Sequence, residues 1–202
     1  MNDIFDLQGR TALVTGGFSG LGLHFARVLA QRGARVALMG RRIELGQAMA
    51  QELGAAVGRP DQVRAYPVDV TDVASVAAGF GQVSAELGVP TIVVNNAGTV
   101  QRGASAEVTA ADWDAVVDVN LSGVFKVAQA AARTLIAAGS AGSIINIASI
   151  LGLRVRSQVA SYAATKAAVV HLTKALALEW AEHGIRVNAL APGYFETEIN
   201  RE

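Results

Sequence analysis

Tyr162 and Lys166 stand four positions apart in the run Ser161-Tyr162-Ala163-Ala164-Thr165-Lys166. Residues four apart share one face of a helix, so a phenol and an ammonium there can serve a single site. Such a pair suits proton transfer. A free tyrosine titrates near pH 10, and bringing it to about 7 takes roughly 4 kcal/mol of extra stabilisation of the phenolate. One ammonium at about 4 Å supplies about that much at an effective dielectric of 20, and less where water intrudes. The expectation is an acid and base at Tyr162, acidified by Lys166 and able to protonate an oxygen that gains charge during reaction. Ser149 ends the apolar run Ile144-Ile145-Asn146-Ile147-Ala148. It therefore belongs at the carboxyl end of a strand, where it can hold a substrate oxygen by a hydrogen bond. Taken singly, Ser149 also reads as a turn cap, Asn120 as an ordinary side-chain hydrogen-bonder and Tyr162 as an interface aromatic.

A second chemical signal lies near the amino terminus, in Val14-Thr15-Gly16-Gly17-Phe18-Ser19-Gly20-Leu21-Gly22. Glycine permits a tight turn and close approach of backbone to a pyrophosphate, and a helix amino terminus offers free N–H groups with a partial positive charge. The turn follows a strand-like run and opens a helical one, the order a dinucleotide site requires. After the next strand-like run comes Leu38-Met39-Gly40-Arg41-Arg42, with no carboxylate to bind adenosine ribose hydroxyls. A guanidinium at Arg41 can hold a 2′-phosphate, so NADP(H) is expected ahead of NAD(H). The other reading is that the arginines are simply solvated at a helix start.

The elements that must position these groups alternate in type. Strand-like runs occupy Thr11–Thr15, Arg35–Met39, Gln62–Val68, Thr91–Asn95, Ser143–Ala148 and Ile185–Leu190. Helical spacing occupies Leu21–Gln31, Glu44–Leu53, Val73–Leu87, Ala110–Ala138 and Ser161–His183. This alternation predicts right-handed βαβ units and an α/β fold with a parallel sheet covered by helices on both faces. Helix stops are legible at Gln31-Arg32-Gly33 and Glu182-His183-Gly184.

The spacing T-G-x-x-x-G-x-G over 15–22, Tyr162 with Lys166, and Ser149 ahead of them together resemble the short-chain dehydrogenase/reductase family. That resemblance implies a Rossmann-type, doubly wound parallel sheet and hydride transfer between a nicotinamide and an alcohol or carbonyl. It implies a catalytic group of Asn120, Ser149, Tyr162 and Lys166. Asn120 would position a proton-relaying water, and Tyr162 and Lys166 would also contact the cofactor, Lys166 at the nicotinamide ribose. Gly16, Ser19, Gly20, Leu21 and Gly22 would surround the pyrophosphate, with Arg41, Asp69 and Val70 at the adenosine. Asn96, Ala97 and Gly98 would support the pocket, and Pro192, Gly193, Phe195 and Thr197 would close on the nicotinamide end. Family members continue past this point, so the chain is expected to lack a seventh strand and a substrate cover. The expectation is six strands in a single domain over residues 1–202, cut short at its carboxyl end.

Composition excludes several classes. The chain has 202 residues, 51% hydrophobic and 17% charged, enough for one buried core. Its 17 basic and 17 acidic residues balance, against a nucleic-acid or membrane-binding surface. No apolar run reaches the roughly 18 residues of a spanning helix. There is no cysteine for a disulfide or thiolate metal site, and His24, His171 and His183 are scattered, so no metal is expected. A soluble cytoplasmic protein follows. Trp113 and Trp180 read as core or interface residues. The Ala-rich long helices suit a homodimer or homotetramer, and Arg154 and Arg156 hint at an anionic substrate among sugar acids, polyols and 3-oxoacyl compounds. The alternatives are a catalytically silent NAD(P)-binding regulatory relative and a scaffold that dimerises without cofactor.

Overall fold

A computed structural model of the chain describes residues 3–195. Six short runs rich in β-branched and apolar residues form strands: β1 (Thr11–Thr15), β2 (Arg35–Gly40), β3 (Val63–Pro67), β4 (Pro90–Asn95), β5 (Gly142–Ile147) and β6 (Ile185–Leu190). All pair in parallel, in the order β3-β2-β1-β4-β5-β6. Between them run α1 (Gly20–Gln31), α2 (Ile43–Ala56), α3 (Val73–Glu86), α4 (Ala110–Val117), α5 (Gly123–Ala137) and α6 (Ala160–Trp180).

Side-chain alternation along the strands assigns the helices to two faces. Leu13, Met39, Val93 and Ile144 pack with residues of α3, α5 and α6, while Ala12, Val14, Leu38 and Val94 pack with residues of α1 and α2. The chain winds outward from β1 to β3, then crosses to β4 on the other side of β1. That reversal opens a crevice at the carboxyl ends of β1 and β4. β6 alternates buried Ile185 and Val187 with exposed Arg186, Asn188 and Leu190, so the described residues cover it on one face.

Two strands are locked by a buried polar chain that sequence reasoning missed. Asn95 donates to the Val124 carbonyl at 2.8 Å and to Asn146 Oδ1 at 3.2 Å, and Asn146 donates to Thr173 Oγ1 at 2.9 Å. All three side chains are buried, and each amide is satisfied only because β4, β5, α5 and α6 meet there.

The stretch 110–138, read as one helix, is two. Between α4 and α5 the backbone widens into a π turn over Asp118–Ser122. Asn120 anchors that turn to the loop after β4, and Gly123 admits Val70, against whose Cγ2 an added β-carbon would lie at 2.9 Å. The two tryptophans also part company, since Trp180 is buried and Trp113 is 42% exposed. Among the described residues no helix is long and apolar enough to cross a membrane.

Candidate active site

A cleft of about 640 Å³ runs along the carboxyl ends of the strands, from the glycine turn at one end to Ser149, Tyr162 and Lys166 at the other. Gly16 and Gly20 take φ values of 60° and 54°, which residues with a β-carbon rarely adopt. The turn is stitched to the loop after β4. Thr15 Oγ1 accepts from the Asn96 and Ala97 amides at 3.0 Å each, and Asn96 donates to the carbonyls of Thr15 and Gly16. Ser19 stands at the N-cap of α1 without a capping hydrogen bond, and the first turn holds no acidic side chain. The positive end of α1 therefore faces the cleft without a compensating charge, as an anion site requires. A pyrophosphate fits that cradle.

Phe18 also lines the cleft, although nothing assigned it a role from sequence. Its ring is buried against Gly40 and Gly46, where an added β-carbon would overlap it. The legible signal was a glycine inside a helix, which costs about 1 kcal/mol relative to alanine and so asks for a packing reason.

Toward the adenosine end, Arg41, Arg42, Asp69 and Val70 line the cleft. Asp69 Oδ1 accepts from the Thr71 amide at 2.9 Å and from its hydroxyl at 2.8 Å. These bonds, with smaller help from Arg41 and Lys126, hold its carboxyl below the ordinary range.

At the opposite end Ser149 is both cap and site residue. Its Oγ accepts from the Leu151 amide at 3.1 Å, capping a short 3₁₀ turn, and it shares a hydrogen bond with the Tyr162 side chain. Lys166 is 3% exposed and donates to the Ile147 carbonyl at 2.8 Å. Burial lowers its pKa from 10.5 to about 8. The Lys166 nitrogen lies 5.6 Å from the centre of the Tyr162 ring. The two side chains do share one face, yet the expected acidification of Tyr162 is not what the fold produces. Loss of solvent around the phenolate raises the phenol above its ordinary value and outweighs the hydrogen bond from Ser149. Lys166 alone does not reverse that.

The signs have a measurable consequence. Lys166 titrates near 8 when folded and near 10.5 when unfolded, so between those values the unfolded chain binds more protons and stability rises with pH. Tyr162 and Tyr66 are shifted upward, so above about pH 10 the unfolded chain ionises first and stability falls. Urea midpoints at about pH 7 and about pH 9.5 should show the native chain gaining on Lys166→Met as pH rises. A difference independent of pH would count against a buried ammonium.

Most residues singled out from sequence converge here. Gly16, Ser19, Gly20, Leu21, Arg41, Asp69, Val70, Asn96, Ala97, Gly98, Ser149, Tyr162, Lys166, Pro192, Gly193 and Phe195 all line the cleft. Gly22 does not. It packs behind the turn, where an added β-carbon would overlap the Gly16 carbonyl oxygen and lie 2.5 Å from Asn96 Nδ2. Asn120 is buried outside the cleft lining. Its Oδ1 accepts from the Thr99 amide and its Nδ2 donates to the Thr99 carbonyl, both at 2.8 Å. Its side chain thus holds the loop after Gly98, whose own β-carbon position lies 3.3 Å from Asn120 Oδ1 and 3.7 Å from Lys166 Nζ. Thr197 lies outside the described residues. Among the described residues no group of three His, Asp or Glu could hold a metal ion.

The family model for short chain dehydrogenases matches residues 10–202. The gluconate 5-dehydrogenase of Gluconobacter oxydans (strain 621H) is 42% identical over 197 residues, covering 98% of this chain and 75% of the relative. The L-tagatose-forming galactitol 2-dehydrogenase of Cereibacter sphaeroides is 43% identical over 198 residues, covering 97% and 75%. A crystal structure of a gluconate 5-dehydrogenase from Burkholderia cenocepacia J2315, in complex with NADP and tartrate, superimposes with a TM-score of 0.93 at 44% identity, covering 98% of this chain and 76% of that one. The sheet order, the glycine turn and the Ser149, Tyr162 and Lys166 cluster agree with that likeness. The chain belongs to the short-chain dehydrogenase/reductase family and is a nicotinamide-dependent oxidoreductase of CH–OH groups.

Proposed function

We propose that residues 1–202 form one NADP(H)-binding domain that interconverts a secondary alcohol and its ketone, of the sugar-acid, polyol or 3-oxoacyl type. The observation that carries this reading is the convergence of Ser149, Tyr162 and Lys166 at the far end of a cleft that begins in an anion cradle. The nicotinamide, when bound, gives or takes the hydride. Ser149 holds the substrate oxygen, and Tyr162 donates its phenolic proton to that oxygen in reduction. A phenol raised above its ordinary value remains protonated at neutral pH, ready to act as an acid. Lys166 holds the nicotinamide end and stabilises the phenolate left behind. Asn120 keeps the Thr99 loop and the π turn in place beside Lys166. The exposed Phe125, Ile136 and Leu178 on α5 and α6 support assembly as a homodimer or homotetramer.

The test is nicotinamide absorbance with the full chain, D-gluconate, D-glucitol and a 3-oxoacyl thioester, using each cofactor in turn. Turnover of none would reject the reading. Arg41 bears on the choice of cofactor. Arg41→Gln should lower the NADPH-to-NADH ratio of kcat/KM by about 10- to 100-fold, the worth of one charge-assisted contact to a phosphate. An unchanged ratio would mean the arginine is merely solvated.

A further inference from the structure

Lys126 stands on α5 one helical turn after Gly123, so the two residues present the same face. That face meets the loop between β3 and α3 at two adjacent residues. Gly123 admits the Val70 side chain, and Lys126 Nζ donates to the Thr71 carbonyl at 2.7 Å, a bond between residues 55 apart in the chain. Fixing a lysine ammonium on one carbonyl costs rotamer freedom, so a half-buried lysine held this way asks for an offsetting gain.

The loop is tied down on its other sides as well. The Val68 amide donates to the Gly40 carbonyl at 3.0 Å, the Asp69 amide to Ser75 Oγ at 3.0 Å, and the Asp72 amide to the Asp69 carbonyl at 3.2 Å. Those bonds fasten the loop to β2, to α3 and to itself, and the bond from Lys126 joins it to α5. Thr71, held by Lys126 through its carbonyl, gives both its amide and its hydroxyl to Asp69 Oδ1. Asp69 Oδ2 is left for a ligand, and an ionised carboxylate oxygen accepts from an amino group such as that of a purine. Asp69 and Val70 line the cleft, whereas Lys126 does not. A chain of bonds, Lys126 to Thr71 to Asp69, thus runs from the outer helix to the cleft wall, and its charge favours the ionised form of Asp69.

We propose that Lys126 is a positioning residue for the adenine half of the cofactor: acting through Thr71, it sets where Asp69 and Val70 meet the base. The proposal rests on the oxidoreductase reading above and adds to it a residue outside the cleft. NADPH and NADH share the adenine, so Lys126 serves both alike. Arg41 differs in this respect, since its partner would be the 2′-phosphate that only NADPH carries.

The experiment titrates the full chain with NADPH and with NADH, read by nucleotide fluorescence. Lys126→Met should weaken each about tenfold and leave their ratio unchanged. Lys126→Arg, which keeps a charged donor, should recover most of that loss. Lys174→Met, at an exposed position of α6, should change neither. In an Asp69→Asn background, Lys126→Met should cost less than about threefold more, because both changes act on one contact. In turnover the KM for NADPH should rise about tenfold with kcat within about twofold. Reduction driven by reduced nicotinamide mononucleotide, which lacks the adenosine, should keep its kcat/KM. If Lys126→Met does not fold, Lys126→Gln removes the charge with a smaller change and should give the same pattern. Unchanged NADPH binding overturns the proposal. So does a loss shared by the mononucleotide, or one fully additive with Asp69→Asn, since either marks a general loosening of the fold. Binding that follows the expected pattern with no carbonyl turned over supports Lys126 and rejects only the oxidoreductase reading. A native chain that binds neither dinucleotide overturns both.

Discussion

Tyr162→Phe lowers kcat for carbonyl reduction by about a thousandfold and leaves NADPH affinity within about twofold, the range expected for loss of a positioned general acid. The substitution removes one hydroxyl and keeps the ring that packs beside Lys166. The Ser149 hydroxyl accepts from the Leu151 amide and keeps its own proton to hold the substrate oxygen, being a weaker acid than a phenol, and the Lys166 nitrogen donates to the Ile147 carbonyl. Burial keeps the phenol protonated at neutral pH, so its proton is available for delivery and its absence is felt at the chemical step rather than in binding. Steady-state reduction and fluorescence titration of NADPH read the two quantities separately. A variant retaining more than about a tenth of native kcat would mean that another group supplies the proton, and the assignment of Tyr162 would be lost.

Gly22→Ala should be the most damaging single methyl group in the molecule, costing about 3 kcal/mol and abolishing tight NADPH binding. The added carbon meets the Gly16 carbonyl oxygen and Asn96 Nδ2, neither of which can withdraw. The first is main chain in a turn with positive φ, and the second is tied to the carbonyls of Thr15 and Gly16. Relief requires α1 to move away from β1, taking its amino terminus off the pyrophosphate cradle. Gly81→Ala is the control. Gly81 lies inside α3 with open space around its β-carbon position, so alanine there should stabilise by about 1 kcal/mol. Thermal melts with and without NADPH test both. If Gly22→Ala melts like the native chain and still responds to NADPH, the close packing described here is wrong.

The same comparison separates two kinds of information in the chain. Strand positions, the glycine turn at the end of β1 and the shared face of Tyr162 and Lys166 were legible because each depends on a few consecutive residues. Periodicity, φ preference and helical spacing are local properties, and local order sufficed to place the sheet's crevice. The alternating pattern also predicted which strand ends would carry Ser149 and the turn following β4.

What escaped that reading depends on atoms distant in sequence. The acidity of Tyr162 follows from how much solvent the fold removes, a sum over many segments, so a neighbouring lysine alone predicted the wrong sign. Asn120, expected to position a proton-relaying water, is bound on both sides by Thr99, and that tie accompanies the π turn that splits the long helix. Phe18 became a wall of the cleft because Gly40 and Gly46 leave room for its ring. Arg102 and Arg156 come to line one small cavity where the Gly103 amide bonds the Gln158 carbonyl, a contact between segments far apart in the chain. Short-range geometry thus set the elements and their order. Desolvation and contact across segments, which no window of neighbouring residues contains, decided what the side chains at their ends can do.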